Sequence, residues 1–249
     1  MEWELIAILA GVAVAAGFVD SIAGGGGLLA LPALLMAGLD PVAALATNKL
    51  QGSVGVGSSV VVFARRGLID FRASRLMVAT AFLGAGLGVL AVGMAPVGLL
   101  KAVMPVLLIV MASYFALSPR LSNDDAVARL SASRFGWMVV PVIGFYDGVF
   151  GPGAGSLYLL GFVALRGYGV LRGLAHTRLL NFTSNVAAFI AFAFAGKIVW
   201  TVGLAMCAGQ IIGAQVGSRL AIRHGAAIIR PLLVMVCCAM ALKLLFDAY

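Results

Sequence analysis

Long apolar runs separated by short polar segments dominate the chain. Stretches such as residues 76–100 and 199–220 reach the length of a spanning helix, because about 20 apolar residues cross roughly 30 Å of hydrocarbon. The chain has room for roughly eight to ten such spans of about 25 residues each, turns included. The alternating pattern of a membrane barrel is missing, whereas helices satisfy their own backbone groups in lipid. The pattern therefore predicts an all-α polytopic membrane protein.

Composition and charge narrow the class of protein further. Hydrophobic residues make up 63% of the chain and charged residues 10%, whereas a soluble domain carries about 25% charged residues. The formal net charge is +8, but the basic residues stand in short clusters between apolar runs rather than on one continuous face. These clusters indicate membrane topology, and no nucleic-acid partner is expected.

The two halves of the chain share an ordered set of motifs. Gly, Phe, Asp and two later Gly residues coincide when the first apolar run is aligned with the one that follows the polar middle of the chain. This similarity predicts a first transmembrane repeat (residues 1–117), a cytoplasmic linker (118–133) and a second transmembrane repeat (134–249). The aligned segments are residues 17–26 with 144–153, 46–51 with 176–181, and 67–70 with 196–199.

Arginine placement favours one topology over another. If each half has five membrane segments, including short ones at residues 27–39 and 154–165, most arginines fall on one side, which the positive-inside rule makes cytoplasmic. An odd number of crossings makes the repeats inverted. The alternative treats the short segments as re-entrant, with four spans per half, but it separates the last three arginines from the others. The arginines are Arg65, Arg66, Arg72, Arg75, Arg120, Arg129, Arg134, Arg166, Arg172, Arg219, Arg223 and Arg230.

A glycine cluster interrupts an apolar run in each half. Glycine inside a helix costs about 1 kcal/mol relative to alanine, so a cluster of glycines indicates a structural or functional role. Interrupted helices in transporters present N-terminal amides to anions near the midplane of the bilayer. The alternative is close helix packing through small residues. The predicted substrate-binding glycines are Gly24, Gly25, Gly26, Gly151 and Gly153.

Lys49 and Arg178 each lie well inside an apolar run. A charge there costs on the order of 3 kcal/mol and by default faces a partner or a wet cavity. Polar neighbours make both positions candidate parts of a substrate site, namely Thr47, Asn48 and Gln51 near Lys49, and Thr177, Asn181 and Asn185 near Arg178. The alternative is that each base forms a structural ion pair with an aspartate.

The aspartates in question are Asp20 and Asp147, which each end an apolar run just before a glycine cluster. A carboxylate in this place can cap the next half-helix by accepting hydrogen bonds from its free amides. It can instead carry a coupling proton. The sequence leaves both roles open.

Taken together, the motifs resemble those of the sulfite exporter TauE/SafE family of membrane permeases, over nearly the whole chain. The resemblance implies a bacterial cytoplasmic-membrane protein that moves sulfur oxyanions or organosulfonates, such as sulfite or sulfoacetate, generally as an exporter. In the alignment above, the second half departs from the first by Pro152 in its glycine cluster and by Arg178 opposite Asn48. The motifs are residues 17–20, 24–27, Pro32 and 46–49, and again 144–147, Gly151, Gly153 and 176–181.

The predicted function is secondary transport of a small anion, in which one repeat rocks against the other around a midplane site. The alternative is an anion channel. Enzyme motifs such as His-Glu-x-x-His and Gly-x-Ser-x-Gly are missing, and His and carboxylate residues form no metal cluster, so no enzyme activity, cofactor or metal is expected. The expected partners are the anion and the lipid bilayer, while coupling to a proton or ion and assembly into a homo-oligomer stay open.

Overall fold

The computed structural model describes residues 3–96 and 124–225. Within these residues the secondary structure is helical and contains no strand, which confirms the predicted all-α class for this part of the chain. One helical turn, Ala132–Arg134, and a π-helical segment, Phe135–Val139, lead into the helix Val140–Val149. The main helices are α1 Trp3–Ala23, α2 Gly26–Met36, α3 Pro41–Arg65, α4 Arg75–Met94, α5 Val140–Val149, α6 Ala154–Arg166, α7 Val170–Phe194 and α8 Trp200–His224.

Helices α3 and α7 are the two central elements, and their ends follow from local sequence. Helix α3 begins at Pro41, after Asp40 caps it by accepting hydrogen bonds from the amides of Val42 and Ala43, both at 3.1 Å. Proline suits the first helical position because its missing N–H would be unpaired there anyway. Their first residues are 129 positions apart, and because both helices contain 25 residues, their last residues are 129 positions apart as well.

The helices of the two predicted halves pack against each other crosswise. Helix α1 lies along α8, α5 lies along α4, and α3 contacts α7. Small residues allow these close crossings: a side chain at Gly88 on α4 would overlap the backbone at Phe145, and one at Gly213 on α8 would overlap the backbone at Val14. The crossings therefore depend on bare backbone, which is the close packing that glycine-rich membrane helices use.

Two described helices, α1 and α4, are long and apolar enough to cross a membrane by length and composition. The short segments predicted at residues 27–39 and 154–165 form the helices α2 and α6. At 1.5 Å per residue, α2 is about 16 Å long, roughly half the hydrocarbon thickness. The number of crossings per half stays a prediction, because the fifth segments, which open at Lys101 and Arg230, and linker residues 118–123 lie outside the described residues.

Linker residues from Asp125 onward lie against the connection between α6 and α7. The amide of Ala126 donates to the carbonyl of Gly167 at 2.7 Å, and Arg166 donates to the carbonyl of Leu130 at 2.5 Å. Asp125 accepts the amide of Gly169 at 2.6 Å and pairs with Arg172 at 2.7 Å. We call residues 125–130 the strap.

Candidate functional site

Each half contains a helix break at its glycine cluster. Gly24 separates α1 from α2 with φ +82°, and Gly151 and Gly153 separate α5 from α6 with φ +96° and +82°. Residues with a side chain rarely adopt these left-handed values, because the Cβ atom collides with the backbone. The breaks therefore need glycine at these three positions.

The two breaks touch each other through their backbones. A Cβ atom built on Gly24 would lie 2.5 Å from backbone atoms of Gly155 and Ser156, and one on Gly155 would lie 2.8 Å from the Cα atom of Gly24. The Ser156 hydroxyl also donates to the carbonyl of Ala23 at 2.5 Å, which satisfies a carbonyl left free at the end of α1. The start of α6 is thus held against the end of α1.

Both buried bases form ion pairs, and each pair joins the two predicted halves. Lys49 of α3 contacts Asp147 of α5 with 2.5 Å between Nζ and Oδ1, and both side chains are 1% exposed. Arg178 of α7 contacts Asp20 of α1 with 3.1 Å between Nη1 and Oδ2. The ion pairs that the sequence offered as the alternative to a substrate site are therefore present. In each pair the base comes from one half and the acid from the other.

The two acids differ in what else they bind. Asp20 accepts the amide of Gly26, the first residue of α2, at 3.0 Å, which is the contact that helix capping requires. Asp147 instead accepts the hydroxyl of Ser184 in addition to Lys49. Of these two acids, Asp20 makes a helix-capping contact, whereas the contacts of Asp147 with the described residues are with side chains.

Arg178 is fully buried but incompletely paired. Its Nη1 donates to the side chain of Asp20 and to that residue's carbonyl at 2.6 Å. Its Nε and Nη2 have no hydrogen-bond partner among the described residues. Nη2 lies next to Gly155, 2.9 Å from where a Cβ atom would stand. A guanidinium presents five donors in a planar fork, so this one keeps donors available at the crossing of the two breaks.

A small cavity of about 30 Å³ lies between the breaks and the middle of α3 and α7. This volume suits about two water molecules, since one water needs roughly 10–15 Å³ by the same measure. Of the predicted site residues, Gly25, Thr47, Thr177 and Arg178 do not line it. Those that do are Gly24, Gly26, Asn48, Lys49, Gln51, Gly151, Gly153, Asn181 and Asn185, together with Asp20 and Asp147.

Thr47 binds the start of α8 rather than the cavity, because it accepts the amide of Val199 at 3.1 Å. His176 makes the corresponding contact in the other half by accepting the amide of Asp70 at 3.3 Å. Thr47 and His176 are 129 positions apart, and so are Asp70 and Val199. The same offset separates the ends of α3 from those of α7.

This offset corrects the sequence alignment of residues 46–51 with 176–181, which is one position out of register. In the corrected register Arg178 lies opposite Lys49, not Asn48. The error arose because identical residue types, not helix ends, fixed the alignment. The two bases thus occupy equivalent places, each eight residues after the start of its helix.

Two polar residues of the site are not among the predicted substrate-binding residues. Ser184, which binds Asp147, follows Asn181 by three positions and so shares its helix face. Gln210 lines the cavity, and its Oε1 lies where side chains at Gly17 and Gly55 would otherwise stand. A carboxamide inside the apolar run of α8 was the available signal.

Comparison with known proteins relates this chain to membrane transporters. The family model described as "Sulfite exporter TauE/SafE" matches residues 9–244. A "Probable membrane transporter protein ORF9" of Sinorhizobium sp is 50% identical over 247 residues, covering 99% of this chain and 95% of the relative. The "Probable membrane transporter protein YfcA" of Escherichia coli K12 is 43% identical over 98% of this chain and 91% of its own. A Haemophilus influenzae "Probable membrane transporter protein" is 41% identical, covering 98% and 96%. No solved structure matches the chain.

Proposed function

This chain belongs to the sulfite exporter TauE/SafE family of membrane transporters, and we propose that it is a secondary transporter whose substrate is a small anion. The family description and the site chemistry support a sulfur oxyanion or organosulfonate, such as sulfite or sulfoacetate, moved outward across a bacterial inner membrane that the chain crosses several times. Two inverted repeats that rock against each other would carry the anion past the cavity.

The observation that carries the proposal is the convergence of two helix breaks and two buried bases. The breaks bring the first amides of α2 and α6 to the cavity, where the helix dipole favours negative charge. Lys49 lines the same cavity, and the unpaired donors of Arg178 lie beside Gly155, which also lines it. Several donors together with two cations are the features that an oxyanion requires.

Carboxamide side chains add neutral hydrogen-bond donors around the cavity. Asn48 and Gln51 come from α3, and Asn181 and Asn185 come from α7. At present they bind each other: Gln51 donates to Asn48 at 2.6 Å, and Asn185 donates to Asn181 at 2.9 Å. Such bonds can be exchanged for bonds to an anion without uncovering a charge.

The size of the cavity supports a carrier rather than the alternative, an anion channel. A channel conducts through a continuous wet path, whereas the described residues enclose only about 30 Å³ between the breaks. An anion must therefore displace groups that now fill the site. The ion pair between Lys49 and Asp147 is the contact best placed to break, because Lys49 can then bind the anion in place of the Asp147 carboxylate.

Flux into proteoliposomes tests the proposal, with labelled sulfite, sulfoacetate and methanesulfonate as substrates. Removal of Lys49 alone would leave Asp147 buried without a partner and destabilise the protein, so the informative variant combines Lys49→Gln with Asp147→Asn. We expect its flux to fall at least about tenfold, which corresponds to about 1.4 kcal/mol.

The matched control neutralises an ion pair away from the cavity, Arg172→Gln with Asp125→Asn, which should transport at the native rate. The site assignment fails if the inserted Lys49 and Asp147 double variant also transports at the native rate. The proposed function fails if the native protein carries none of the three anions. Flux that neither saturates nor shows counterflow would favour the channel.

A further inference from the structure

The charges around the cavity sum to zero before any substrate arrives. Lys49 and Arg178 supply two positive charges, and Asp147 and Asp20 supply two negative charges. Three of these side chains are at most 1% exposed, and Asp20 is 14% exposed. An anion that enters this site adds one uncompensated negative charge to a poorly solvated interior, which is costly. A positive charge that accompanies the anion would remove this cost.

We propose that Asp147 is a proton carrier: it takes up one proton as Lys49 transfers its contact to the anion, so that proton and anion cross the membrane together. This inference rests on the proposed anion transport and adds a second transported species. The charge balance closes for a monovalent anion, because neutral Asp147 leaves Lys49, Arg178, Asp20 and the anion summing to zero. When the anion and the proton are released on the other side, Asp147 is ionised again and re-forms its ion pair with Lys49.

The surroundings of Asp147 allow this exchange. Lys49 approaches from α3, and the hydroxyl of Ser184 approaches from α7. A hydroxyl can donate to a carboxylate or rotate to accept from a carboxylic acid, so Ser184 can bind either form of Asp147. The side chains of Asp147 and Lys49 also border Gly151, where a Cβ atom would lie 2.6 Å from Nζ of Lys49. The ammonium of Lys49 therefore lies at the helix break, where it can bind an anion.

The other titratable groups near Asp147 do not replace it in this role. Tyr146 donates its hydroxyl to the carbonyl of Pro152 at 2.6 Å, and Tyr158 of α6 is a phenol, which stays neutral near pH 7 unless strongly activated. Asp20 of α1 interacts with Asp147 electrostatically. Helix α4, which packs on α5, carries no titratable side chain after Arg75.

Asp20 is unsuited to carry the proton for a structural reason. Its partner Arg178 stays protonated in proteins, and its carboxylate also caps α2 through Gly26. Protonation of Asp20 would leave a buried guanidinium without its counterion and weaken the cap. Asp147 has no backbone donor among the described residues, so its protonation releases only Lys49, which the anion then binds.

The first test measures proton movement with the native protein in proteoliposomes that contain the pH-sensitive dye pyranine. Methanesulfonate is the probe, because it is a monovalent anion near neutral pH and cannot bring the proton itself. With the membrane potential clamped by potassium and valinomycin, an inward gradient should acidify the lumen by about one proton for each methanesulfonate, as a neutral loaded site requires. Methanesulfonate uptake without acidification, or no methanesulfonate uptake at all, overturns the inference. The proposed function is overturned only if sulfite and sulfoacetate are not carried either.

The second test uses Asp147→Asn, which imitates the protonated acid. The variant should still exchange external for internal methanesulfonate, because the loaded site is neutral. It should lose net uptake and luminal acidification at least about tenfold, because the empty site keeps an unpaired Lys49. Asp125→Asn is the control and should keep both activities. Net uptake with proton movement in Asp147→Asn overturns the inference.

Thermal unfolding in detergent gives a readout that is independent of flux. Methanesulfonate replaces the missing counterion of Lys49 in Asp147→Asn, so it should raise the apparent melting temperature of this variant more than that of the native protein. Equal shifts in the two proteins would contradict the release of Lys49 to the anion.

Discussion

Gly24 and Gly155 lie so close that a methyl group on either residue would overlap the backbone of the other. They belong to different helix breaks, and residues from both breaks line the same cavity. The contact joins the predicted halves through bare backbone beside the cavity that we propose binds the anion. Its closeness can be tested without changing any charge.

Gly155→Ala should destabilise the protein. Gly155 is helical, so alanine brings a gain in helix propensity of about 1 kcal/mol, but its methyl would lie 2.8 Å from the Cα atom of Gly24. Overpacking of this kind costs about 1–3 kcal/mol. The matched control is Gly86→Ala on α4, where nothing lies within 4 Å and the gain in propensity should remain. Thermal unfolding in detergent should separate the two variants, and equal melting temperatures would show that the breaks are not in contact.

Ser184→Ala should cost about 1.5–3 kcal/mol, the range for a hydrogen bond to a charged group. Its hydroxyl donates to the buried carboxylate of Asp147. Thr183→Ala is the control, because the neighbouring hydroxyl bonds the carbonyl of Leu179 in its own helix at 2.9 Å. The free energies of unfolding should differ clearly between the two variants, and Ser184→Cys should recover little because a thiol is a weak donor.

Features that are expensive in an apolar environment could be predicted from the sequence. Lys49 and Arg178 stood out because a charge inside an apolar run needs a partner, and Gly24 and Gly151 stood out because glycine is poor in a helix. These physical costs are local, so a single chain reveals them. The all-helical class followed from hydropathy for the same reason.

Long-range pairing could not be predicted in the same way. Lys49 and Asp147 are 98 positions apart, and the sequence named both acids without telling which base each one binds. That choice depends on how α1 and α5 dock against α7 and α3. The register of α3 against α7 was also missed by one position, because it follows from helix ends and from the Thr47 and His176 contacts rather than from residue identity.

Asp125 should hold the strap in place over the whole range from mildly acidic to basic pH. The amide of Gly169, and then Arg172, hold the pKa of this carboxyl below its usual value. A lowered pKa stabilises the folded state above the unfolded value of about 3.9 and loses that contribution as the pH falls through the folded value. Protection of the Gly169 amide against hydrogen exchange, corrected for intrinsic rates, should therefore be constant from about pH 5 to pH 8.

The variant Asp125→Asn should lose this protection at every pH, because a neutral amide accepts the Gly169 N–H more weakly. Asp70→Asn is the matched control, since it removes a carboxylate that accepts the amide of Ala73 at 2.9 Å in the connection between α3 and α4. Protection at Gly169 that declines between about pH 8 and pH 5 in the native protein would show that another group holds the strap.

The crosswise pairing of bases and acids predicts which double variants recover stability. Removal of one partner of a buried ion pair costs about 3–5 kcal/mol, because the other charge stays buried alone. Arg178→Gln and Asp20→Asn should each show such a loss. Their combination should lose less than the sum, by a coupling of about 0.5–3 kcal/mol, since no charge is left unpaired at that pair.

The control for this cycle combines residues from different pairs. Lys49→Gln with Asp20→Asn leaves Asp147 and Arg178 without their partners, so the two losses should not offset each other. Unfolding free energies of the singles and doubles, measured in one detergent, distinguish the two cases. The opposite result, in which the mixed double variant recovers stability and Arg178→Gln with Asp20→Asn does not, would show that Lys49 binds Asp20. Each ion pair would then lie within one half of the chain. Lys49 would no longer be the base that Asp147 releases when it takes up a proton.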